Sequence, residues 1–77
     1  MTTFETVANA IADQLELDAS TITPESRLNE DLKTDSVDVI EIVMNLENEY
    51  GIEFEFDELG KLTTVDDVVK YIDSVKK

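Results

Sequence analysis

The residues best placed to do chemistry lie near the middle of the chain: Asp35, Ser36 and Asp38, with Glu30 and Asp31 just upstream. A serine hydroxyl becomes a nucleophile when a base of suitable pKa takes its proton. The chain has no histidine and no cysteine, which excludes a His-dependent triad, and carboxylates alone activate serine poorly. Ser36 therefore lacks an internal base to activate it, and no catalytic residue is expected. The same absences argue against a zinc site. The acids at Glu30, Asp31, Asp35 and Asp38 suggest calcium, but no window supplies the EF-hand loop with its central glycine. This cluster, and a second at Glu53, Glu55, Asp57 and Glu58, reads as solvated surface, with weak divalent binding as the alternative. Taken alone, Asp35-Ser36-Val37-Asp38 is also what an ordinary helix start looks like, since Ser and Asp both cap helices.

The elements that must position these residues follow from the apolar spacing. A helix is expected from about residue 36 to 50, with Asp35 as its N-cap and Gly51 as its stop. At about 100° per residue, Val39, Ile42, Val43, Leu46 and Tyr50 share one arc, the core face. Asp38, Asn45 and Glu49 lie opposite. Between them runs a third stripe, Val37, Ile40, Glu41, Met44, Glu47 and Asn48, which mixes apolar and acidic residues. Either the preceding loop covers this stripe or it meets a partner. Upstream, Phe4, Val7, Ala8, Ile11, Ala12 and Leu15 have helical spacing, and Thr2 with Glu5 has the form of a capping box. Residues 16 to 35 lose that period, and Pro24 discourages helix before it. They read as a long ordered loop, pinned to the core by Leu17, Ile22, Leu28 and Leu32. The alternating Phe54 and Phe56 hint at a strand, but a lone strand has no partner, so a short helical turn near residues 57 to 60 is preferred. The last helix spans about residues 64 to 75, with Val65, Val68, Val69, Ile72 and Val75 on one face and Thr64 with Asp67 as a second box. The expected fold is all-α: a small four-helix bundle of three main helices and one short one, with a long ordered loop between helices one and two.

With 77 residues, the chain is read as one domain, residues 1–77. Nineteen acids against six bases give a net charge of −13. Such a chain repels nucleic acid and anionic membranes, and attracts partners with basic patches. No apolar run reaches a membrane-spanning length, and the first residues lack the basic start of a secretory signal. A soluble, cytoplasmic monomer is the expectation.

The run Leu32-Lys33-Thr34-Asp35-Ser36-Val37-Asp38, continued by Glu41-Ile42-Val43-Met44 and Leu46-Glu47, resembles the attachment motif of acyl carrier proteins. The likeness extends to helix one, the long loop, and the stretch from Lys61-Leu62-Thr63-Thr64-Val65-Asp66-Asp67 to Tyr71-Ile72. In that family an Asp-Ser-Leu triplet opens the second helix, and the serine receives 4′-phosphopantetheine from coenzyme A. The resemblance implies that Ser36 carries this arm, and that acyl groups ride on its thiol as thioesters, most plainly in fatty acid biosynthesis. Carriers of polyketide, aminoacyl and other specialised pathways share the motif, and an acidic helical interaction module without a prosthetic group is the alternative outside the family. The implied partners are a phosphopantetheinyl transferase, which supplies base and magnesium, and acyl-processing enzymes with basic docking patches. The implied docking residues are Asp35, Val37, Asp38, Ile40, Glu41, Met44, Glu47 and Asn48. Val43, Leu46, Leu59, Leu62, Val68 and Ile72 are candidates for lining an acyl pocket. The chain departs from the family at Val37, where leucine is usual, at Lys33-Thr34, where Gly-Ala or Gly-Leu is common, and at Glu55, where proline is frequent.

Overall fold

The computed structural model describes residues 2–75, and at Phe56 the backbone alone. Its helices are α1 (Thr3–Leu15), α2 (Ser36–Tyr50), α3 (Phe56–Leu59) and α4 (Val65–Val75), with a single 3-10 turn at Ala19–Thr21. The α1 cap is the expected box: the Thr2 hydroxyl accepts from Glu5 N–H at 3.1 Å and the Glu5 carboxylate accepts from Thr2 N–H at 2.8 Å. α1 ends at Glu16, whose φ of 57° is left-handed, and Leu17 N–H turns back to Ala12 C=O at 2.9 Å, the six-to-one bond of a Schellman ending.

α1 packs on both α2 and α4. Its face of Val7, Ala8, Ile11 and Ala12 meets Ile42, Val43 and Leu46 of α2 and Val65, Val68 and Ile72 of α4 in one buried core. Each fully buried aliphatic side chain here, such as Ile11, Leu46 or Ile72, contributes about 1.5–3 kcal/mol by leaving water. Phe54 completes the core and stacks on Tyr71, with ring centroids 4.6 Å apart.

The long loop is ordered, as expected, but through a different set of pins. Ile22 and Leu28 are buried and Leu32 is half-buried, whereas Leu17 is 41% exposed. Leu17 sits just past the left-handed residue that ends α1, so the chain turns it outward. Backbone bonds replace it: Leu28 N–H to Thr63 C=O, Val65 N–H to Ser26 C=O and Asp66 N–H to Pro24 C=O, at 2.8, 3.0 and 2.9 Å, lace the loop to the start of α4. The 3-10 turn is capped by Asp18, whose carboxylate accepts from both the N–H and the hydroxyl of Ser20 at 2.9 Å. These two hydrogen bonds hold the Asp18 carboxyl below the usual carboxylate range. At the other end of the chain Val75 is also a correction, being 37% exposed rather than on the core face, because it falls in the last turn of α4.

Candidate functional site

Asp35 and Asp38 form a reciprocal cap at the head of α2. The Asp35 carboxylate accepts from Asp38 N–H at 2.9 Å, and the Asp38 carboxylate accepts from Asp35 N–H at 3.4 Å. Ser36 is the first helical residue and is exposed. A helix start presents donors that its own backbone cannot satisfy. Here the two carboxylates take the first and last of them, and the N–H groups of Ser36 and Val37 are the two that neither carboxylate takes. The positive end of the helix dipole points the same way, which suits an anion bound at the serine.

The turn before Ser36 is firmly built. Thr34 is buried, with its N–H and its hydroxyl both donating to Leu28 C=O at 3.0 Å; its oxygen also lies 3.2 Å from Asn29 Oδ1. The preceding Lys33 has a φ of 58°. For a residue with a Cβ this left-handed conformation costs about 1–2 kcal/mol, and it accounts for the glycine common in the resembling family at this place.

Beside Ser36 opens a groove of about 740 Å³, bordered by Asn29, Thr34, Asp35, Ser36, Val39, Ile40, Asp57, Leu59, Gly60 and Leu62. Of the six residues read from the sequence as pocket candidates, Leu59 and Leu62 border this groove. Val43, Leu46, Val68 and Ile72 do not; they are closed into the core between α1, α2 and α4. Val39, half-buried against the core as its helical face implies, and Ile40, exposed on the α2 stripe, both border the groove as well. Their position at three and four residues past Ser36 is the signal that could have found them, since a helix turn brings them under its first residue.

The stripe along α2 is not covered by the long loop. Val37, Met44 and Ile40 are 61%, 55% and 42% exposed, and Glu41 and Asn48 are exposed with them. Two acids differ from expectation in what they do. The Glu47 carboxylate accepts from Phe54 N–H at 2.8 Å, which fastens the α2–α3 connection. Glu41 accepts from the Gln14 side-chain amide of α1, a contact for which the sequence offers no signal. Tyr71 holds the same connection from the other side, its hydroxyl accepting from Glu55 N–H at 3.1 Å. Among the described residues no cluster of acids is arranged to hold a metal ion.

Comparison with known proteins agrees with this geometry. Residues 5–72 match the family model described as a phosphopantetheine attachment site. The acyl carrier protein of Helicobacter hepaticus is 49% identical over 76 residues, covering 99% of this chain and all of that protein. That of Campylobacter jejuni is 43% identical over 77 residues, covering both chains in full. The solved acyl carrier protein of Enterococcus faecalis superposes with a TM-score of 0.78 at 34% identity, over 96% of this chain and 98% of that one. A Mycobacterium tuberculosis protein described as a candidate acyl carrier superposes with a TM-score of 0.89 at 27% identity, over 95% and 97%. With its helical bundle, the match to the attachment domain and full-length likeness to named carriers, the chain belongs to the acyl carrier proteins, which bear phosphopantetheine and present acyl groups to acyl-processing enzymes instead of catalysing.

Proposed function

We propose that residues 1–77 form one carrier domain that holds growing acyl chains as thioesters on a phosphopantetheine arm at Ser36, in fatty acid biosynthesis. The observation that carries this reading is the position of Ser36: an exposed hydroxyl at the first residue of α2, opening onto an apolar groove. The residues fit the group. The N–H groups of Ser36 and Val37, which neither capping carboxylate takes, would serve a phosphodiester at this helix start, and Val39, Ile40, Leu59 and Leu62 offer an apolar surface to an alkyl chain. The arm supplies the thiol that bears the acyl group.

In loading, Ser36 Oγ attacks the pyrophosphate phosphorus on the pantetheine side of coenzyme A. The Oγ–P bond forms, the bond to the bridging oxygen breaks, and adenosine 3′,5′-bisphosphate leaves. The hydroxyl proton passes to a base of the transferase, since this chain has neither histidine nor cysteine. Partner enzymes dock on the exposed stripe of α2, where Val37, Ile40 and Met44 enter shallow pockets and Glu41 meets lysine or arginine, with Asp35 and Asp38 flanking the serine. Among the described residues no helix is long and apolar enough to cross a membrane; we read the carrier as a cytoplasmic monomer whose net charge of −13 attracts basic partners.

Intact-mass measurement tests the reading. Incubated with coenzyme A, magnesium and a phosphopantetheinyl transferase, the protein gains one arm, and Ser36→Ala gains none while keeping its helical circular dichroism. An arm on Ser20, Ser26 or Ser74 in that variant overturns the assignment. Protein purified from its own host carries saturated and 3-hydroxyacyl thioesters; a uniform polyketide or aminoacyl cargo refutes the pathway.

A further inference from the structure

The described basic side chains are Arg27, Lys33, Lys61 and Lys70. Arg27 pairs with Glu30 at 2.7 Å and with Asp31 at 3.4 Å, Lys61 with Glu58 at 3.4 Å and Lys70 with Asp66 at 3.1 Å. Lys33 alone among them makes no ion pair, in a chain with a net charge of −13. It is also the one held in a left-handed backbone conformation, on a turn that Thr34 anchors by two bonds to Leu28. A glycine would occupy this position without strain. A cation is thus displayed at a strained position three residues before Ser36; the Asp31 carboxylate feels its charge, but no carboxylate among the described residues forms an ion pair with it.

A basic partner enzyme would repel it, so the anion it serves lies on the carrier's own side. Resting on the reading of Ser36 as the attachment site, we propose that the Lys33 ammonium pairs with the phosphodiester that links the arm to Ser36, and so holds the arm toward the groove. Three residues of extended chain span at most about 11 Å. A four-carbon stem on one side and the serine-to-phosphorus bonds on the other reach across that gap. The need is electrostatic: Asp35 and Asp38 set two carboxylates beside the same phosphate, where the helix dipole and two N–H groups favour the anion and a full positive charge adds to them. Lys33 is a positioning residue in this account, acting on the arm and not on the acyl transfer.

The test is the mobility of the arm. The protein is loaded at Ser36, its arm thiol carries a nitroxide, and electron paramagnetic resonance reads the rotational correlation time at low ionic strength. Lys33→Gln shortens that time roughly twofold, the size a screened surface pair sustains; Lys33→Arg retains the wild-type value and Lys70→Gln leaves it unchanged. Sodium chloride at about 1 M, where the Debye length is near 3 Å, brings wild type to the level of Lys33→Gln. Equal mobility of wild type and Lys33→Gln, with both fully loaded by mass, overturns this inference alone. Failure of the protein to load at Ser36 overturns the attachment reading and this inference together.

Discussion

The starts of α2 and α4 use the same local device toward opposite ends. At α4, Asp67 accepts from Thr63 N–H and Thr64 N–H at 2.9 and 3.0 Å, and the Thr64 hydroxyl accepts from Asp67 N–H at 3.2 Å. The N–H groups between them go to the long loop: Val65 to Ser26 C=O and Asp66 to Pro24 C=O. Every donor of that first turn is consumed inside the protein. At α2 a like pair of caps closes the outer donors and takes neither the N–H of Ser36 nor that of Val37, with Ser36 on the border of a groove. A capping box by itself therefore does not tell a structural helix start from a functional one. The fate of the two middle N–H groups does.

The largest stability effect that this contrast predicts is at α4. Asp67→Ala strips acceptors from Thr63 and Thr64, and costs about 1–2 kcal/mol as the loss of a cap that bonds two donors. In a domain of this size that lowers the melting temperature by very roughly 5–15 °C. Ser36→Ala, at the open helix start, leaves the melting temperature within about 2 °C, because no internal bond of the fold rests on its side chain. Thermal unfolding followed by circular dichroism separates the two. Comparable losses in both variants would break the distinction between a closed start and an open one.

The legible and illegible parts of the molecule divide along the same line. Both helix boundaries at α2, the boxes at Thr2/Glu5 and Thr64/Asp67 and the core face of Ile42, Val43 and Leu46 were readable, because each depends on residues within one turn of one another. The short helix at α3 was readable by excluding a partnerless strand. What depends on distant chain was not. Leu17 has the composition of a core residue, but the left-handed Glu16 that turns it outward is not a glycine, so nothing in the sequence marks the turn. The 3-10 turn at Ala19–Thr21 falls where the sequence shows turn residues without a period, and Asp18-x-Ser20 is the sort of pair that caps one. Val43, Leu46, Val68 and Ile72 lie in the buried core, and apolar periodicity finds such a face without saying whether it borders a cavity or a neighbour. The groove's own lining draws on the long loop, α2 and the α3 segment together, and no single period spans three such pieces.

Two acids on one helix sharpen the comparison at intermediate size. Glu41 and Glu47 look alike on a helical wheel, but Glu47 fastens Phe54 N–H while Glu41 is exposed and bonded only to another side chain, that of Gln14. Glu47→Ala leaves a half-buried donor without its acceptor and costs about 1 kcal/mol, loosening the wall that carries Leu59 and Leu62. Glu41→Lys leaves the melting temperature within about 2 °C and instead slows arm transfer, chiefly through the association rate and more strongly at low salt. Charge reversal at Asp13, on α1, is the control. If Asp13→Lys slows transfer as much as Glu41→Lys, overall charge governs encounter and the α2 stripe is not a specific surface.

The smallest effect concerns pH, and it isolates the charge of the closed start from its geometry. The N–H groups of Thr64 and Thr63 hold the Asp67 carboxyl below the usual carboxylate range. A group whose pKa is depressed by folding binds fewer protons when folded than when unfolded. Its contribution is complete above the unfolded value, near pH 4, and is lost as the pH falls through the lower folded value. Asn at this position keeps one oxygen acceptor but no charge, so wild type and Asp67→Asn differ by the charge-assisted part alone, a few tenths of a kcal/mol to about 1 kcal/mol at a helix N-terminus. That difference is present from pH 7 down to about 5 and is lost as the pH falls through the lowered folded value. The falling charge of the whole chain relieves repulsion in both proteins as acid is added, so it cancels in the comparison. Urea unfolding of the pair across this range provides the measurement. A difference that persists undiminished at the lowest pH would mean that Asp67 acts by shape and packing, not as an anion.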